Sequence, residues 1–408
     1  MRKLTPIVFL LLMLHMPFAA CGKTSGFSFD RQRSHITVPI IVRNNLAVVT
    51  LNINGRGPFH FILDTGVNTT ILTEPLISHL LNLNIQETIL VYGLGGEGIV
   101  EAYLATGVEI SMRGITGKNM NMIVIPEDIL SFSEIFGFPV VGIIGHDFFR
   151  NFPVEISYSS EVMKVYRTPD YRIHRRSKII PFELINGKPY VNSTIYGHNG
   201  EKINTNLLID LGASHPLYLN RHYMDLSENT ISGFLGKGIS GNLLGKMGRV
   251  KKISLGDIYI KEPLVSYPDA EFLKFEGHHL AWEGIIGGGI MKRFNVIIDY
   301  PSELMVLRKG NFFSQPFHTN LSGMEVVSRG PRLRQFVIHY VRPGSSAYEA
   351  GLAAGDQIIQ MNRKYHHELT LESILDELSG KTGSVITIVV LREREVLRKQ
   401  FRLREDLL

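Results

Sequence analysis

Two aspartates in this sequence occupy nearly identical surroundings. Asp64 lies in residues 61–69, FILDTGVNT, and Asp210 lies in residues 207–215, LLIDLGASH. Three apolar residues precede each acid and a glycine follows two positions later, a pattern typical of a buried strand that ends in a tight loop. Two carboxylates about 3 Å apart cannot both ionise, so one keeps a proton while the other acts as a base toward a shared water. If the two loops meet, they supply both the acid and the base that hydrolysis requires.

The aspartates belong to a longer internal repeat. Asp64 and Asp210 are 146 positions apart (210 − 64), and HNGEKIN lengthens one loop between them. Four other pairs share a spacing of 142 (181 − 39 for the first): Pro39 and Pro181, Gly55 and Gly197, Gly145 and Gly287, and Tyr158 and Tyr300. Matched landmarks in one order predict two homologous lobes, residues 35–168 and 178–310, joined by a polar linker.

Short β-branched runs fill the lobes that must position these acids. ITVPIIV, LAVVTLNI and NMIVI are bounded by Gly, Asn, Pro or Asp, and few stretches have a helical period. The chain is therefore predicted to be mainly β, with two similar barrel or sandwich lobes. At 408 residues it is long enough to hold these lobes and a further unit.

The repeated motif resembles the signature of the aspartic proteases, retropepsin-like and pepsin-like bacterial members included. Asp64-Thr65-Gly66 and Asp210-Leu211-Gly212 are each followed by a distant Ile-Ile-Gly run, at 143–145 and 285–287. The resemblance covers nearly all of residues 35–310 and implies two pseudo-symmetric β-barrel lobes with one aspartate loop each. It implies an endopeptidase in which the ionised aspartate deprotonates a water that attacks a peptide carbonyl, while the other protonates the oxyanion and later the leaving nitrogen. No cofactor or metal is implied.

The residues beside each aspartate are expected to hold the two loops together. In the aspartic proteases, the residue after each aspartate carries a hydroxyl that hydrogen-bonds to the backbone of the opposite loop. Thr65 can form this bond, whereas Leu211 has no hydroxyl. Gly66 and Gly212 are expected to leave room for the opposing loop. Losing one such bond removes on the order of 1 kcal/mol. Two interpretations stay open, an asymmetric active site and a catalytically decayed adaptor that binds extended peptides without cutting them.

Glycine-rich segments follow each aspartate at equivalent positions. They lie where the resembling family carries flap hairpins, which exclude water from a hydrolytic cleft. Ordinary hairpin turns are the alternative, because glycine clusters mark turns in any β protein. The flap residues predicted on this basis are Tyr92, Gly93, Gly95 and Gly96 in the first lobe and Gly238 and Gly241 in the second.

A third unit is predicted at residues 323–406. The run 336–362, FVIHYVRPGSSAYEAGLAAGDQIIQMN, resembles a PDZ domain of the kind fused to bacterial proteases; LESILDELSG fits its groove helix, and a closing hairpin follows. The resemblance implies that an extended peptide binds as an added strand, with backbone N–H groups holding its C-terminal carboxylate. The residues predicted to bind that carboxylate are Gly323, Met324, Glu325 and Val326. The alternative is a domain that only packs against the lobes.

The N-terminal residues resemble a lipoprotein signal. MRK is followed by the apolar run PIVFLLLMLHM and then by FAAC at 18–21, which resembles a bacterial lipobox. We expect residues 1–20 to be a signal peptide, Cys21 to be lipidated and residues 21–34 to be a tether. The predicted location is the bacterial cell envelope, as a periplasm-facing lipoprotein, with soluble secretion as the alternative.

The amino-acid composition excludes some classes of binding partner. A net charge of +5 over 408 residues, without a basic block interleaved with aromatics, gives no electrostatic footprint for nucleic acid. The single cysteine excludes disulfides within the chain and thiolate-rich metal sites. The predicted partners are peptide or unfolded protein substrates, a C-terminal peptide bound to the PDZ domain, and a membrane reached through the lipid anchor.

Overall fold

The structure is a computed structural model and describes residues 25–92, 99–167, 171–238, 241–270, 274–275, 278–279 and 283–407. The predicted signal peptide, the lipidation site Cys21 and the predicted flap residues Gly93, Gly95 and Gly96 lie outside the described residues. No helix in the described ranges is long and apolar enough to cross a membrane. Strands dominate, so the prediction of a mainly β protein is confirmed.

The first lobe is a β-sheet unit with short helices. Its elements are β1 (Gly26–Phe29), β2 (His35–Pro39), β3 (Ile41–Arg43), β4 (Leu46–Ile53), β5 (Arg56–Leu63), β6 (Thr70–Leu72), α1 (Pro75–Leu81), β7 (Asn84–Tyr92), β8 (Ile99–Met112), β9 (Ile115–Val124), α2 (Phe132–Phe136), β10 (Gly142–Ile144), α3 (His146–Phe149), β11 (Val154–Ser157) and β12 (Val162–Tyr166). Strand β10 runs parallel to β5 and antiparallel to β6. The end of β5, where Asp64 follows, is therefore held inside the sheet.

The second lobe repeats this arrangement. Its elements are β13 (Lys178–Pro181), β14 (Glu183–Ile185), β15 (Lys188–Tyr196), β16 (Lys202–Ile209), β17 (Leu217–Leu219), a 3₁₀ helix (Arg221–Leu226), β18 (Thr230–Gly238), β19 (Gly241–Arg249), β20 (Lys252–Leu255), β21 (Ile258–Lys261), β22 (Leu264–Pro268), β23 (Lys274–Phe275), β24 (His278–His279), β25 (Gly284–Ile286), α4 (Gly288–Met291), β26 (Phe294–Asp299) and β27 (Leu304–Lys309). Strand β25 runs parallel to β16 and antiparallel to β17, as β10 does to β5 and β6. Asp210 thus follows β16 in the place that Asp64 has after β5.

A sheet shared by the two lobes joins them. Its strand order is β13-β27-β26-β11-β12-β2, so the first lobe contributes β2, β11 and β12 and the second contributes the others. The junction is the antiparallel pair of β11 and β26, in which Val154 lies opposite Ile298 and Ile156 opposite Val296. These four side chains are fully buried in a core that continues through both lobes. The β-branched residues of both strands favour this pairing, and their burial fixes one lobe against the other.

The C-terminal unit has its own sheet and its own core. Its elements are β28 (Met324–Arg329), a 3₁₀ helix (Pro331–Leu333), β29 (Gln335–Val341), α5 (Ser346–Glu349), β30 (Gln357–Met361), β31 (Lys364–Tyr365), a 3₁₀ helix (His366–Glu368), α6 (Leu371–Leu378), β32 (Val385–Arg392) and β33 (Glu395–Arg402). The strand order β28-β29-β30-β32-β33 leaves β28 at an edge. Thr370 caps α6 by accepting a hydrogen bond from Ser373 N–H, and Leu371, Ile374 and Leu378 bury one face of the helix in the core of this unit.

The shared sheet provides a test of how the lobes are held together. Ile298→Ala is expected to lower the free energy of unfolding by about 2–5 kcal/mol, because it opens a cavity at a fully buried site. Ile179→Ala is the matched control, since this isoleucine lies in β13 of the same sheet but is 53% exposed, and a change within about 0.5 kcal/mol is expected. Urea unfolding followed by circular dichroism measures both; equal losses would contradict the role of the shared sheet.

Candidate active site

The two aspartate loops are anchored in the same way. Asp64 N–H donates to Ile144 O at 3.0 Å, and Asp210 N–H donates to Ile286 O at 3.0 Å. Each acceptor lies in an Ile-Ile-Gly run, on the strand parallel to the one that ends at the aspartate. The sequence motif therefore has a direct structural reason, because the second strand holds the backbone that presents the carboxylate.

The loops meet so closely that two positions exclude a side chain. A Cβ atom at Gly66 would lie 2.8 Å from Asp210 Oδ2, and one at Gly212 would lie closer still to Asp64 Oδ2. Gly66 N–H donates to Asp64 Oδ1 at 2.5 Å, and Gly212 N–H donates to Asp210 Oδ1 at 2.8 Å. The structure thus brings together the two predicted acids and both predicted glycines.

One threonine ties the loops to each other. Thr65 Oγ1 donates to Ile209 O at 2.6 Å and accepts from Leu211 N–H at 3.1 Å. Thr65 and Leu211 are both fully buried, and the leucine side chain belongs to the common core. The hydroxyl link expected from the sequence is therefore present from the first lobe, and the equivalent position in the second lobe contributes apolar packing instead.

The two carboxyl groups lie in one buried site, where a second negative charge is unfavourable. Burial raises the pKa of Asp64 well above its usual range, and the charge of Asp210 and a hydrogen bond to Asp210 raise it further. Burial also raises the pKa of Asp210, whereas the hydrogen bonds with Asp64 and Gly212 favour its ionised form. The environment therefore favours a pair that shares one proton, in which one carboxyl group is an acid and the other a base.

A large cavity opens at the pair. Its volume is about 1650 Å³, and Asp64, Asp210, Gly66 and Gly212 line it. Residues of the C-terminal unit line the same cavity, among them Val327. A polypeptide in this space would contact both units. The described residues include no group of three or more His, Cys, Asp or Glu side chains placed to hold a metal ion.

Comparison with known proteins agrees with this geometry. Residues 49–148 match the family model for aspartyl protease, and this range includes Asp64 and the first Ile-Ile-Gly run. Residues 337–392 match the family model for the PDZ domain. The chain therefore contains an aspartyl protease domain and, C-terminal to it, a PDZ domain. A search of the curated proteins finds no match. The second protease lobe lies outside the matched ranges, and its relation to the first is seen in the repeated strand arrangement.

The segment predicted as the flap of the second lobe is a hairpin that contacts the first lobe and the PDZ domain. Gly238 ends β18 and Gly241 begins β19. Lys237 Nζ donates to Ser131 Oγ of the first lobe at 3.0 Å. On the same hairpin, the Phe234 ring lies 5.9 Å from the Tyr340 ring of the PDZ domain. In the first lobe, Tyr92 ends β7, and the flap role of both segments stays a prediction.

The predicted carboxylate-binding loop of the PDZ domain is already hydrogen-bonded internally. Asn320 Oδ1 accepts from Ser322 N–H at 3.2 Å and from Gly323 N–H at 3.1 Å. Met324 N–H donates to Ser322 Oγ at 3.2 Å. Burial raises the pKa of Glu325, which accepts from Asn320 Nδ2 at 3.1 Å. Peptide binding by Gly323, Met324, Glu325 and Val326 stays a prediction, and a ligand carboxylate would have to displace the Asn320 side chain.

The first protease lobe packs against the strand and helix that border the PDZ groove. Glu134 of α2 pairs with Arg329 of β28 at 3.1 Å. Arg43 pairs with Glu372 of α6 at 2.8 Å. A Cβ at Gly137, just after α2, would lie 3.0 Å from Leu371 Cβ, so this contact is tight. The PDZ domain is thus seated on the protease domain through the residues beside its groove.

The sequence motifs did not indicate one residue of the cleft, Lys188. Lys188 lines the cavity, and its charge acts on both Asp210 and Asp64. The internal repeat could have pointed to this lysine. The residue 142 positions earlier (188 − 142) is Leu46, so the two lobes differ by a charge at this position. From the sequence alone, a lysine that begins a strand and faces the cleft cannot be told from one that faces the solvent.

The threonine link allows a test of loop assembly. Thr65→Val is expected to lower the free energy of unfolding by about 2–4 kcal/mol, because Ile209 O and Leu211 N–H would stay buried without their partner. Thr65→Ser keeps the hydroxyl and is expected to retain most of that stability. Thermal unfolding of the two variants beside the parent gives the answer, and a serine variant as weak as the valine variant would show that the methyl group matters instead.

The raised pKa of the Asp64 carboxyl predicts a pH-dependent stability. An acid with a raised folded-state pKa costs no stability below its unfolded value of 3.8, and the cost grows as the pH rises above that value. Asp64→Asn removes this cost and is expected to raise the melting temperature at pH 7 by about 2–4 °C, with the gain vanishing toward pH 4. Asp257→Asn is the control, because its side chain is 83% exposed. A gain that is the same at both pH values would contradict this account.

Proposed function

We propose that the protein is an aspartic endopeptidase that cleaves peptide bonds with the Asp64 and Asp210 pair. The observation that carries this proposal is the meeting of two aspartate loops, each anchored to an Ile-Ile-Gly strand and joined to the other by Thr65. Hydrolysis needs an acid and a base at one point, and this pair supplies both. The match of residues 49–148 to the aspartyl protease family supports the same reaction class.

The raised pKa of both carboxyl groups favours one shared proton, so one member of the pair is ionised and the other is protonated. The ionised carboxylate takes a proton from a water held between the carboxyl groups, and the resulting hydroxide forms a bond to the peptide carbonyl carbon. The protonated partner donates its proton to the carbonyl oxygen. The C–N bond then breaks as the first carboxyl group passes its proton to the leaving nitrogen and the second recovers one from the tetrahedral intermediate. The cycle ends with the pair carrying one proton, as it began.

The cavity between the protease and PDZ domains supports a substrate that is an extended polypeptide. Its volume of about 1650 Å³ accommodates several residues, and both domains line it. We assign the PDZ domain to recruiting such chains, since PDZ domains bind extended peptides by strand addition. The resemblance of residues 18–21 to a lipobox supports a location in the bacterial cell envelope, where the substrates would be peptides or unfolded proteins.

A second candidate function rests on the asymmetry of the loops. Leu211 offers no hydroxyl to the first lobe, so a single threonine links the two loops. If that link is too loose for catalysis, the protein would be an adaptor that binds extended peptides in the same cleft without cutting them. The two functions share a binding site and differ only in whether a product forms.

Peptide cleavage is expected from the full chain and should be lost in either single aspartate variant. A diverse peptide mixture is incubated from pH 4 to 8 with the parent, Asp64→Asn, Asp210→Asn and the exposed control Asp257→Asn, and mass spectrometry reports the products. We expect at least a hundredfold loss in both site variants, because each removes one half of the acid–base pair, and no loss in the control. Binding of the same peptides without cleavage by the parent would reject the endopeptidase and favour the adaptor.

A further inference from the structure

The strand register places a different residue beside each aspartate. In the second lobe, β15 and β16 pair Val191 with Leu207 and Tyr190 with Leu208, and extending this antiparallel register by two residues sets Lys188 opposite Asp210. In the first lobe, β4 and β5 pair Val49 with Phe61 and Val48 with Ile62, and the same continuation sets Leu46 opposite Asp64. Directly opposed residues in a sheet project to the same face. One aspartate therefore has an apolar neighbour across the strands, and the other has a cation.

The turn before this lysine is fixed against the first lobe. Gly187 has φ +78°, and a Cβ there would lie 3.1 Å from Asn68 Oδ1 and 3.2 Å from His146 Nδ1. Both neighbours belong to the first lobe, close in sequence to Asp64 and to the first Ile-Ile-Gly run. Lys188 thus begins β15 from a turn that is packed between the two lobes, and its side chain reaches the cavity that the aspartate pair lines.

Lys188 and the two aspartates shift each other's pKa values. Burial lowers the pKa of Lys188, and the charges of Asp210 and Asp64 oppose that change. In return, its charge favours ionisation of both carboxyl groups. The interaction is mutual, as a cation beside a buried acid pair requires.

Three phenols also respond to the charges of the aspartate pair. Burial and the aspartate charges raise the pKa of the phenols of Tyr190, Tyr218 and Tyr300. Burial lowers the pKa of His215 to about 4 and also lowers the pKa of His146. Raised phenol pKa values and lowered imidazole pKa values both favour the neutral forms of these groups, so Lys188 is the one of these groups whose charge can offset that of the pair.

We propose that Lys188 is a positioning residue that holds one negative charge on the Asp64 and Asp210 pair and so sets the lower pH limit of catalysis. The proposal rests on the endopeptidase function. Burial drives both carboxyl groups toward the protonated form, in which neither can deprotonate water. A cation opposite Asp210 counteracts that drive and keeps a base available.

The test compares three lysine variants of the full chain. Lys188→Leu installs the residue that the first lobe has at this position, and Lys188→Arg keeps the charge. Lys292→Leu is the matched control, because Lys292 is a half-buried lysine that lines the same cavity while neither aspartate acts on its charge. We expect the acid limb of the kcat/KM profile of Lys188→Leu to move up by about one pH unit, a roughly tenfold loss below the limb. Lys188→Arg and Lys292→Leu should keep the limb of the parent. An unmoved limb in Lys188→Leu, or an equal shift in the control, would overturn the proposal.

A second measurement does not depend on cleavage. Without the cation, ionising the pair costs more, so the melting temperature of Lys188→Leu should fall more steeply from pH 5 to 8 than that of the parent. Adding Asp64→Asn and Asp210→Asn to Lys188→Leu should abolish that extra slope. A chain that cuts no peptide but shows this dependence would reject the endopeptidase and retain the coupling of lysine and aspartates. An extra slope that survives the aspartate substitutions would reject the coupling itself.

Discussion

The backbones of the two aspartate loops pass so close to each other that neither Gly66 nor Gly212 has room for a Cβ atom. Three features of the protease domain hold the two loops at this short distance. The shared sheet sets the distance between the lobes, the Ile-Ile-Gly strands hold each loop, and the Thr65 hydroxyl closes the gap between Ile209 O and Leu211 N–H. Two carboxyl groups held this near in a buried place must share a proton, and the acid–base chemistry follows from that constraint.

The two lobes keep the same strand arrangement but have diverged at the residues that face the pair. Thr65 corresponds to Leu211, and Leu46 corresponds to Lys188. Each difference has a physical consequence, since one replaces a cross-loop hydrogen bond with core packing and the other replaces an apolar neighbour with a cation. A duplicated fold can therefore surround its two aspartates with different side chains.

The PDZ domain is part of the environment of the cleft. Its β28 and α6 face the first lobe through the Glu134–Arg329 and Arg43–Glu372 ion pairs, and its residues line the cavity that contains the aspartates. Ion pairs that reach the solvent contribute little stability, typically below about 1 kcal/mol each.

The sequence alone determined the mainly β class, the two related lobes, the aspartate pair with its glycines and the PDZ unit, because each of these rests on a local pattern: β-branched runs, a motif repeated at a regular spacing, or one contiguous stretch that resembles a known domain. The register of β15 against β16, which sets Lys188 opposite Asp210, was decided only in three dimensions. So were the filling of the PDZ loop by Asn320 and the seating of that domain on α2. These features depend on which distant residues meet when strands pair and surfaces pack, and side-chain chemistry along the chain does not encode such meetings locally.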